Sequence, residues 1–331
     1  MVLVNNKKRV LTSLATATAL IALAGCSPEG SPQPNAELNV LASFYPLQFV
    51  VEQVGGDRVA VESLTPQGAE PHDLELSPAT ARKINTTDLV VYQSGFQSAV
   101  DDAIDARTPK NVIDAAEHAH QETHDHSDND EAEQLHNEVE AGHNHQSEDS
   151  ASHDGHDHGA TDPHFWLDPT LLADVANDVA ETLITLDPDG AATYQANANT
   201  LVEKLTALDT NYAQALGAQC TNRTIVVTHE AFGYLASRYH FDQLGISGID
   251  PEAEPSPAQI RKVREQIADA NITTIFFETL TSPKVAQTLA KDLGIDTAIL
   301  DPIEGLTDSN SDYFSIMEAN LAALTQGMNC A

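Results

Sequence analysis

The sequence predicts an α/β protein with two parallel-sheet lobes that are joined by one long, rigid connecting helix. Strand-like segments alternate with segments of helical length in two separate sets, a pattern typical of parallel sheets with helical crossovers. Between the two sets lies a helical stretch without turn signals. The chain has 331 residues, which is long for a single core and suits two domains.

The first set of elements predicts an N-terminal lobe over residues 38–187. Short apolar runs indicate four strands, which cover residues 38–43, 59–64, 88–92 and 111–114. Helices are predicted over residues 49–55, 78–85 and 171–186. Ser77 stands directly before the second helix, where its hydroxyl can cap a free backbone N–H.

The connecting helix and a C-terminal lobe follow. Residues 188–217 begin with Pro188, are rich in Ala, Leu, Glu and Lys, and end at Gly217. At 1.5 Å per residue this helix would span about 40 Å, the size of a domain. The second lobe is predicted over residues 218–331. Its strands cover residues 224–228, 241–245, 273–277 and 297–300, and its helices cover residues 256–270 and 283–293.

The N-terminus has the layout of a secretory signal peptide. Lys7, Lys8 and Arg9 precede an apolar run that ends at Ala24, and this run is shorter than the about 20 residues of a membrane-spanning helix. The run closes in Leu-Ala-Gly-Cys at residues 23–26, which resembles the bacterial lipoprotein cleavage box. We expect residues 1–25 to be a lipoprotein signal peptide, Cys26 to carry lipid, and residues 26–37 to form a flexible tether.

Composition and cysteine count narrow the classes of partner. The chain has 16 basic and 50 acidic residues, a net charge of −34. Such a surface repels phosphate backbones, so nucleic acid is excluded as a partner, and it attracts cations. Besides Cys26, the chain contains Cys220 and Cys330. An exported protein occupies an oxidising compartment, so we expect these two cysteines to form a disulfide.

Four polar residues stand out where predicted strands end. They are His72, His164, His229 and Asp301. Ligands of open α/β sheets bind beyond the carboxyl ends of the strands, and each lobe supplies two of the four, so we expect a metal site in the cleft between the lobes. Three imidazoles and one carboxylate suit Zn²⁺. Each residue alone also fits an ordinary loop or turn, and Glu278 or another acid is the alternative to Asp301.

The segments around these residues resemble the four ligand motifs of a known family. Residues 70–75, Glu-Pro-His-Asp-Leu-Glu, and residues 163–168, Pro-His-Phe-Trp-Leu-Asp, are the most specific of the four. They resemble the metal-specific solute-binding lipoproteins of ABC importers, the cluster that carries zinc and manganese. The resemblance covers the mature chain except a His-rich insert. It implies two α/β lobes bridged by one long helix, a metal ion at the four residues, and no enzymatic activity.

The resemblance also indicates which metal is carried. Manganese members of the family have Glu at the position of His229, whereas zinc members have His, and a third imidazole favours zinc. The sequence therefore predicts a zinc receptor, with a manganese or iron receptor of the same family as the alternative. A zinc hydrolase would need an open coordination position and a base. A metal-buffering adhesin is a further alternative.

Residues 117–162 differ in composition from the rest of the chain. They contain ten of the 14 histidines, and no Lys or Arg occurs from residue 111 to 203. Such a segment buries too little apolar surface to offset its ordering entropy, so we expect a disordered insert, with a solvated acidic loop as the plain alternative. Most of its histidines form His-x-His pairs, which predict weak auxiliary metal sites. The paired residues are His118, His120, His124, His126, His143, His145, His156 and His158.

The resemblance implies the partners and the location. We expect an extracytoplasmic, high-affinity receptor that delivers Zn(II) to an ABC importer, which consists of a membrane permease and a cytoplasmic ATPase. Lipid on Cys26 would hold a monomer at the outer face of the bacterial cytoplasmic membrane, at the cell surface or in the periplasm. Glu70, Glu230 and Glu278 are the acids that we expect to orient the metal ligands.

Overall fold

The computed structural model describes residues 36–119, 162–217 and 220–330. It confirms an α/β fold of two lobes, each with a four-stranded sheet in which every described strand pair is parallel. Each helix of the described residues is too short or too polar to cross a membrane. The predicted signal peptide, Cys26 and most of the tether lie outside the described residues, as do residues 120–161 of the predicted insert.

The N-terminal lobe is built on the sheet order β2-β1-β3-β4. The strands are β1 (Leu38–Ala42), β2 (Val59–Ser63), β3 (Leu89–Tyr92) and β4 (Val112–Asp114). The helices are α1 (Tyr45–Gly55), α2 (Pro78–Lys83), α3 (Ser98–Arg107) and α4 (Pro169–Leu186). Ser77 caps α2 as predicted, because its hydroxyl accepts a hydrogen bond from Thr80 N at 3.1 Å. Helix α3 was not predicted, since it is rich in Asp and Ala and has a weak apolar face.

The connecting helix α5 covers Ala191–Ala215, 25 residues, after a 3-10 turn at Pro188–Gly190. Its apolar side is buried at Tyr194, Leu201, Leu208 and other positions. Near its C-terminal end, the Tyr212 hydroxyl donates to Met317 O at 2.6 Å. This bond ties the helix to the second lobe, so α5 is packed along its length rather than free in solvent.

The C-terminal lobe repeats the strand order of the first, as β6-β5-β7-β8. The strands are β5 (Thr224–Val227), β6 (Asp242–Gly245), β7 (Thr274–Phe277) and β8 (Asp296–Ile299). The helices are α6 (Gly233–Tyr239), α7 (Pro257–Asp269), α8 (Lys284–Leu293) and α9 (Tyr313–Gly327). In both sheets the order reverses between the first and third strands of the lobe, which creates a crevice at their carboxyl ends.

The unpredicted helix α9 joins the lobes. Its first residue, Tyr313, is fully buried and stacks on Phe49 of α1 with ring centroids 5.4 Å apart. One continuous apolar core therefore contains residues of both lobes. Such a shared core resists wide hinge opening, because separating the lobes would expose large aromatic surface to water.

The structure confirms the predicted disulfide, which joins Cys220 and Cys330. The bond ties the chain before β5 to the residues that follow α9. One boundary of the sequence analysis is corrected. Glu117 and His118 belong to a 3-10 turn at Ala115–His118, so the first two residues of the predicted insert are part of the folded N-terminal lobe.

Candidate metal centre

His72 lies in an irregular loop between β2 and α2. Its backbone N–H donates to Glu70 Oε1 at 2.9 Å. Its ring meets the Phe96 ring edge-on, with centroids 4.8 Å apart. The His72 side chain is 14% exposed, so this imidazole lies at the rim of the crevice. The sequence expectation that His72 follows the carboxyl end of β2 agrees with this position.

His164 is fully buried, directly before a 3-10 turn at Phe165–Leu167. The turn is fixed from the other lobe in two ways. Trp166 Nε1 donates to Pro302 O at 2.8 Å, and the Tyr313 hydroxyl donates to Trp166 O at 2.7 Å. The two buried hydrogen bonds therefore fix the position of His164 relative to the second lobe. The Trp166 ring packs beside the His164 ring.

His229 follows β5 and is 1% exposed. Its Nδ1 donates to Glu278 Oε1 at 2.9 Å, and the Thr228 hydroxyl donates to the same oxygen at 2.9 Å. Glu278 follows β7 and is itself buried. Because the carboxylate fixes the ring through Nδ1, the Nε2 atom is directed toward the crevice.

The structure corrects the fourth position of the predicted ligand set. Asp301 does not join the three imidazoles, whereas Glu304 does. The Asp301 carboxylate accepts from Ile303 N at 2.8 Å and from the Thr279 hydroxyl at 2.7 Å. Ile303 has φ +59°, a strained conformation for a β-branched residue. Asp301 thus holds the tight turn that presents Glu304, and its oxygens are used for that purpose.

The four side chains converge on one point. One nitrogen of each of His72, His164 and His229 and one oxygen of Glu304 lie within 4.8 Å of one another. Glu304 Oε1 is 2.8 Å from His164 Nε2, 3.2 Å from His72 Nε2 and 3.4 Å from His229 Nε2. Four ligands of a tetrahedral Zn²⁺ at 2.0–2.1 Å are separated by about 3.3 Å. The donor set and its spacing therefore fit a tetrahedral ion after small side-chain shifts.

Two buried atoms support the same interpretation. Within the described residues, His229 Nε2 and Glu304 Oε2 are buried and have no hydrogen-bond partner. Unpartnered buried polar atoms are costly and rare in folded proteins. Both atoms belong to the four-residue cluster, so a cation bound there would satisfy them.

The short contacts among the four side chains shift the pKa values of His229 and Glu304 in opposite directions. Burial raises the pKa of Glu304, but the imidazoles of His164, His229 and His72 lie within 3.4 Å of its Oε1, outweigh burial and hold that pKa well below its usual range. Burial lowers the pKa of His229, but the bond to Glu278 and the carboxylate of Glu304 outweigh it and raise the pKa to about 10. The pKa of His164 is also raised, because contacts with Asp162 and Glu304 overcome burial. Burial, with the charge of Glu304, raises the pKa of Glu70 to about 8. The metal-free cluster is thus held by imidazolium–carboxylate pairs.

These pKa shifts predict opposite pH dependences for metal binding and for metal-free stability. A metal ion must displace the protons of His164 and His229, so the affinity should rise by at least about tenfold per pH unit. An unshifted histidine would level off above about pH 6.5, whereas the raised pKa of His229, about 10, extends the rise through pH 8.5. Titration with chelator-buffered zinc from pH 5.5 to 8.5 measures the slope. A plateau above pH 7 would contradict the assignment.

The metal-free protein should respond in the other direction. The folded pKa of His229, about 10, lies above the unfolded value, so its pairing stabilises the fold fully below about pH 6.5 and is lost as pH rises toward 10. The pKa of Glu304 is lowered in the folded protein, so this carboxylate stabilises the fold at pH values above its ordinary pKa. That stabilisation is lost as the pH falls through the lowered pKa. Thermal unfolding of chelator-treated protein should therefore show Tm falling from pH 6.5 to 9. His229→Ala should flatten this part of the profile.

The remaining predicted residues have separate positions. Glu278 contacts His229, and Glu70 accepts from the backbone of His72. Glu230 instead packs its side chain against Gly245, and its backbone N–H donates to Gly248 O. Of the predicted auxiliary histidines, only His118 is among the described residues. Its Nε2 lies 2.6 Å from Asp178 Oδ2, and this contact holds the end of the described range 36–119 against α4. The other auxiliary histidines lie outside the described residues.

Sequence reasoning missed Glu304 and also Asp162, whose Oδ1 accepts from His164 Nδ1 at 2.7 Å. The sequence did contain one signal that could have pointed to Glu304. Asp301-Pro302 is a turn former, and an Asp in such a position accepts from the N–H two residues later, as it does here from Ile303. That pattern removes Asp301 as a free ligand and points to an acid farther along the chain.

The family comparison covers nearly the whole chain. The model for ZnuA, described as zinc-uptake complex component A, periplasmic, matches residues 40–327. The zinc-binding lipoprotein AdcA of Streptococcus pneumoniae is 34% identical over 327 residues, which is 96% of this chain and 61% of AdcA. The chain thus spans about three fifths of that relative. The high-affinity zinc uptake system protein ZnuA of Bacillus subtilis is 30% identical, covering 95% of this chain and 96% of ZnuA.

Solved structures agree with the fold. The Zn(II)-bound ZnuA-like domain of Streptococcus pneumoniae AdcA has a TM-score of 0.68 and 32% identity, covering 88% of this chain and 99% of that domain. The laminin-binding protein Lbp of Streptococcus pyogenes has a TM-score of 0.69 and 30% identity, with 88% and 99% coverage. Structures similar to this chain therefore include both a zinc-bound domain and a protein described as laminin-binding.

Proposed function

We propose, since this chain belongs to the zinc-uptake complex component A family, that it captures zinc outside the cytoplasm and delivers it to an ABC importer. One observation carries the proposal: His72, His164, His229 and Glu304 place three imidazole nitrogens and one carboxylate oxygen around a single point. Three nitrogen ligands favour zinc over manganese, for which oxygen ligands are better suited. The transported ion would thus be held by four protein ligands, with Glu304 in place of the predicted Asp301.

A receptor explains this donor set better than an enzyme does. A catalytic zinc keeps one coordination position open for water or substrate, whereas the four proposed protein ligands would close the tetrahedron. The named relatives are zinc-binding or zinc-uptake proteins, which supports the same class. A hydrolase would turn over ester or peptide substrates with zinc bound, and we expect this protein to show no such turnover.

The location and partners follow from the sequence and the family. We propose a monomer that is exported and held by lipid on Cys26 at the outer face of the cytoplasmic membrane. Its partners would be zinc, the membrane through the lipid, and the permease of an importer with a cytoplasmic ATPase. The relatives named as zinc-binding lipoproteins support the anchor. Metabolic labelling with a fatty-acid analogue, with Cys26→Ser as the control, tests it directly.

Selectivity provides the test of the zinc assignment. We expect one tight Zn²⁺ per chain and at least about a hundredfold weaker Mn²⁺, because the third imidazole, His229, suits the softer ion. His229→Glu should reduce the preference for Zn²⁺ over Mn²⁺ or reverse it. Competition calorimetry with both metals measures it, with metal content checked by mass spectrometry. His240→Glu is a matched control, since His240 lies at the exposed end of α6. Manganese binding that equals zinc binding in the unmodified protein would contradict the proposal.

The His-rich segment should add weak sites without defining the tight one. The composition of this segment predicts His-x-His pairs that chelate with a cost in chain entropy and without supporting hydrogen bonds. Replacing residues 121–160 by a short Gly-Ser linker preserves His118 on Asp178 and Asp162 on His164. We expect calorimetry to show the weak sites lost and the tight site unchanged within about threefold. Loss of tight binding would mean that the segment supplies a ligand.

A further inference from the structure

We propose that Asp162 is a positioning residue for the metal ligand His164. We also propose that position 233 in the opposite lobe must be glycine because a larger side chain would collide with Asp162. The proposal rests on the proposed function, because it concerns how the zinc ligand is held. It concerns two residues that lie far apart in sequence. Asp162 precedes the His164 segment, whereas Gly233 begins α6 of the C-terminal lobe.

Asp162 holds the imidazole of His164 from the side away from the crevice. Its Oδ1 accepts from His164 Nδ1 at 2.7 Å and from His164 N at 2.9 Å. His164 is 0% exposed, and the Asp162 side chain is 15% exposed. A proton held on Nδ1 leaves the Nε2 lone pair for a metal. Nε2 is the atom of His164 that faces Glu304, at 2.8 Å, so the bond to Asp162 selects the productive tautomer.

The other oxygen of the same carboxylate lies against α6. A Cβ added to Gly233 would stand 2.3 Å from Asp162 Oδ2 and 3.5 Å from its Cγ. Gly233 has no left-handed backbone conformation that would require glycine. The closest atom to such a Cβ is the Asp162 oxygen, and Gln243 Nε2, at 3.3 Å, is the next. One side chain thus connects a ligand of the N-terminal lobe with the first residue of a helix in the C-terminal lobe.

The same arrangement occurs at His229, where Glu278 accepts from Nδ1. Two of the three imidazoles are therefore backed by a carboxylate, one from each lobe. The carboxylate makes the imidazole a stronger ligand, and removal of such a partner typically costs 10- to 100-fold in metal affinity. Asp162 differs from Glu278 in contacting the opposite lobe, so its position depends on how the lobes are packed.

A purely local role is the competing explanation, since Asp162 also accepts from the backbone of His164 and could serve only to shape the loop. Asp162→Asn separates the two roles. An amide oxygen still accepts from the backbone N–H, but it lacks the charge that strengthens the Nδ1 bond. We expect Asp162→Asn to lower zinc affinity by about tenfold and Asp162→Ala by 10- to 100-fold. The backbone bond that shapes the loop survives in Asp162→Asn, so the Tm of its metal-free form should fall less than that of Asp162→Ala.

The contact with α6 is tested by a double-mutant cycle on the full mature chain. Gly233→Ala should push Asp162 away and lower zinc affinity to nearly the level of Asp162→Ala. In the Asp162→Ala background the clash with Asp162 is gone and only Gln243 Nε2, at 3.3 Å, stays close to the added Cβ, so adding Gly233→Ala should have little further effect. Gly248→Ala is the matched control, because nothing lies within 4 Å of a Cβ at Gly248. Zinc affinity is measured by competition with a chelator.

A second readout does not depend on tight binding. In metal-free protein with 15N-labelled histidine, the Nδ1–H proton of His164 should resonate far downfield and shift upfield in Asp162→Ala and Gly233→Ala. Wild-type affinity in Asp162→Asn or Asp162→Ala, additive losses in the cycle, or an unmoved resonance would overturn the proposal. Weak zinc binding by the unmodified chain with the resonance shifts present would instead refute the proposed function and leave the role of Asp162 in holding His164 intact.

Discussion

Glu304→Gln should lower zinc affinity by about a hundredfold or more, whereas Asp301→Asn should change it by less than about threefold. The carboxylate of Glu304 supplies the only negative charge among the four converging ligands, and it is fully buried. An amide oxygen is a weaker donor and leaves the ion's charge uncompensated. A loss of about 3 kcal/mol corresponds to roughly a hundredfold at 1.4 kcal/mol per tenfold. Competition with a chelator of known affinity measures both variants.

Asp301→Asn is a suitable partner for this comparison because its role is structural. An Asn oxygen can still accept from Ile303 N, and the amide can still bond the Thr279 hydroxyl. We expect Asp301→Ala, which removes both bonds, to lower the Tm of the metal-free protein, since the strained Ile303 turn loses its support. The opposite pattern, with Asp301→Asn losing zinc and Glu304→Gln retaining it, would restore the ligand set predicted from the sequence.

Of the variants considered, the one without the disulfide should lose the most free energy of unfolding. Cys220 and Cys330 are 110 residues apart in sequence, and closing a loop of this length destabilises the unfolded chain by about 5 kcal/mol in the chain-entropy model. We expect the double variant Cys220→Ser/Cys330→Ser to unfold at a lower denaturant concentration, with a free energy of unfolding that is smaller by that amount. Zinc affinity should change little, because β5 is held between β6 and β7 by its own backbone pairing.

Reduction offers the internal control. Treating the unmodified protein with a thiol reductant should reproduce the unfolding curve of the double variant, and the same treatment should leave the double variant unaffected. Measurements on metal-free protein keep the contribution of bound zinc out of the comparison. Identical unfolding of the oxidised protein and the double variant would show that the bond adds nothing to stability.

The sequence was sufficient for features that depend on short-range patterns. The eight strands were predicted because each is a short apolar run with polar or turn residues on either side. Helix α5 was predicted because 25 residues contain no breaker. The three histidines were predicted because they were placed at strand ends, which lie at one edge of a parallel sheet, and because their segments resemble family motifs. The structure places His164 directly before a 3-10 turn instead of after a strand. The disulfide was predicted from the compartment and the cysteine count.

Features that depend on long-range packing were decided only by the tertiary structure. Helix α9 has a diffuse apolar pattern, and its burial against α1 and α5 could not be inferred from its own residues. The fourth ligand illustrates the reason. Asp301 and Glu304 are both acids shortly after β8. The Asp-Pro turn argues locally against Asp301 as a ligand, but no local pattern shows that Glu304 meets the three imidazoles. The fold assigns them, because Thr279 and Ile303 occupy the first carboxylate while three imidazoles from distant segments surround the second.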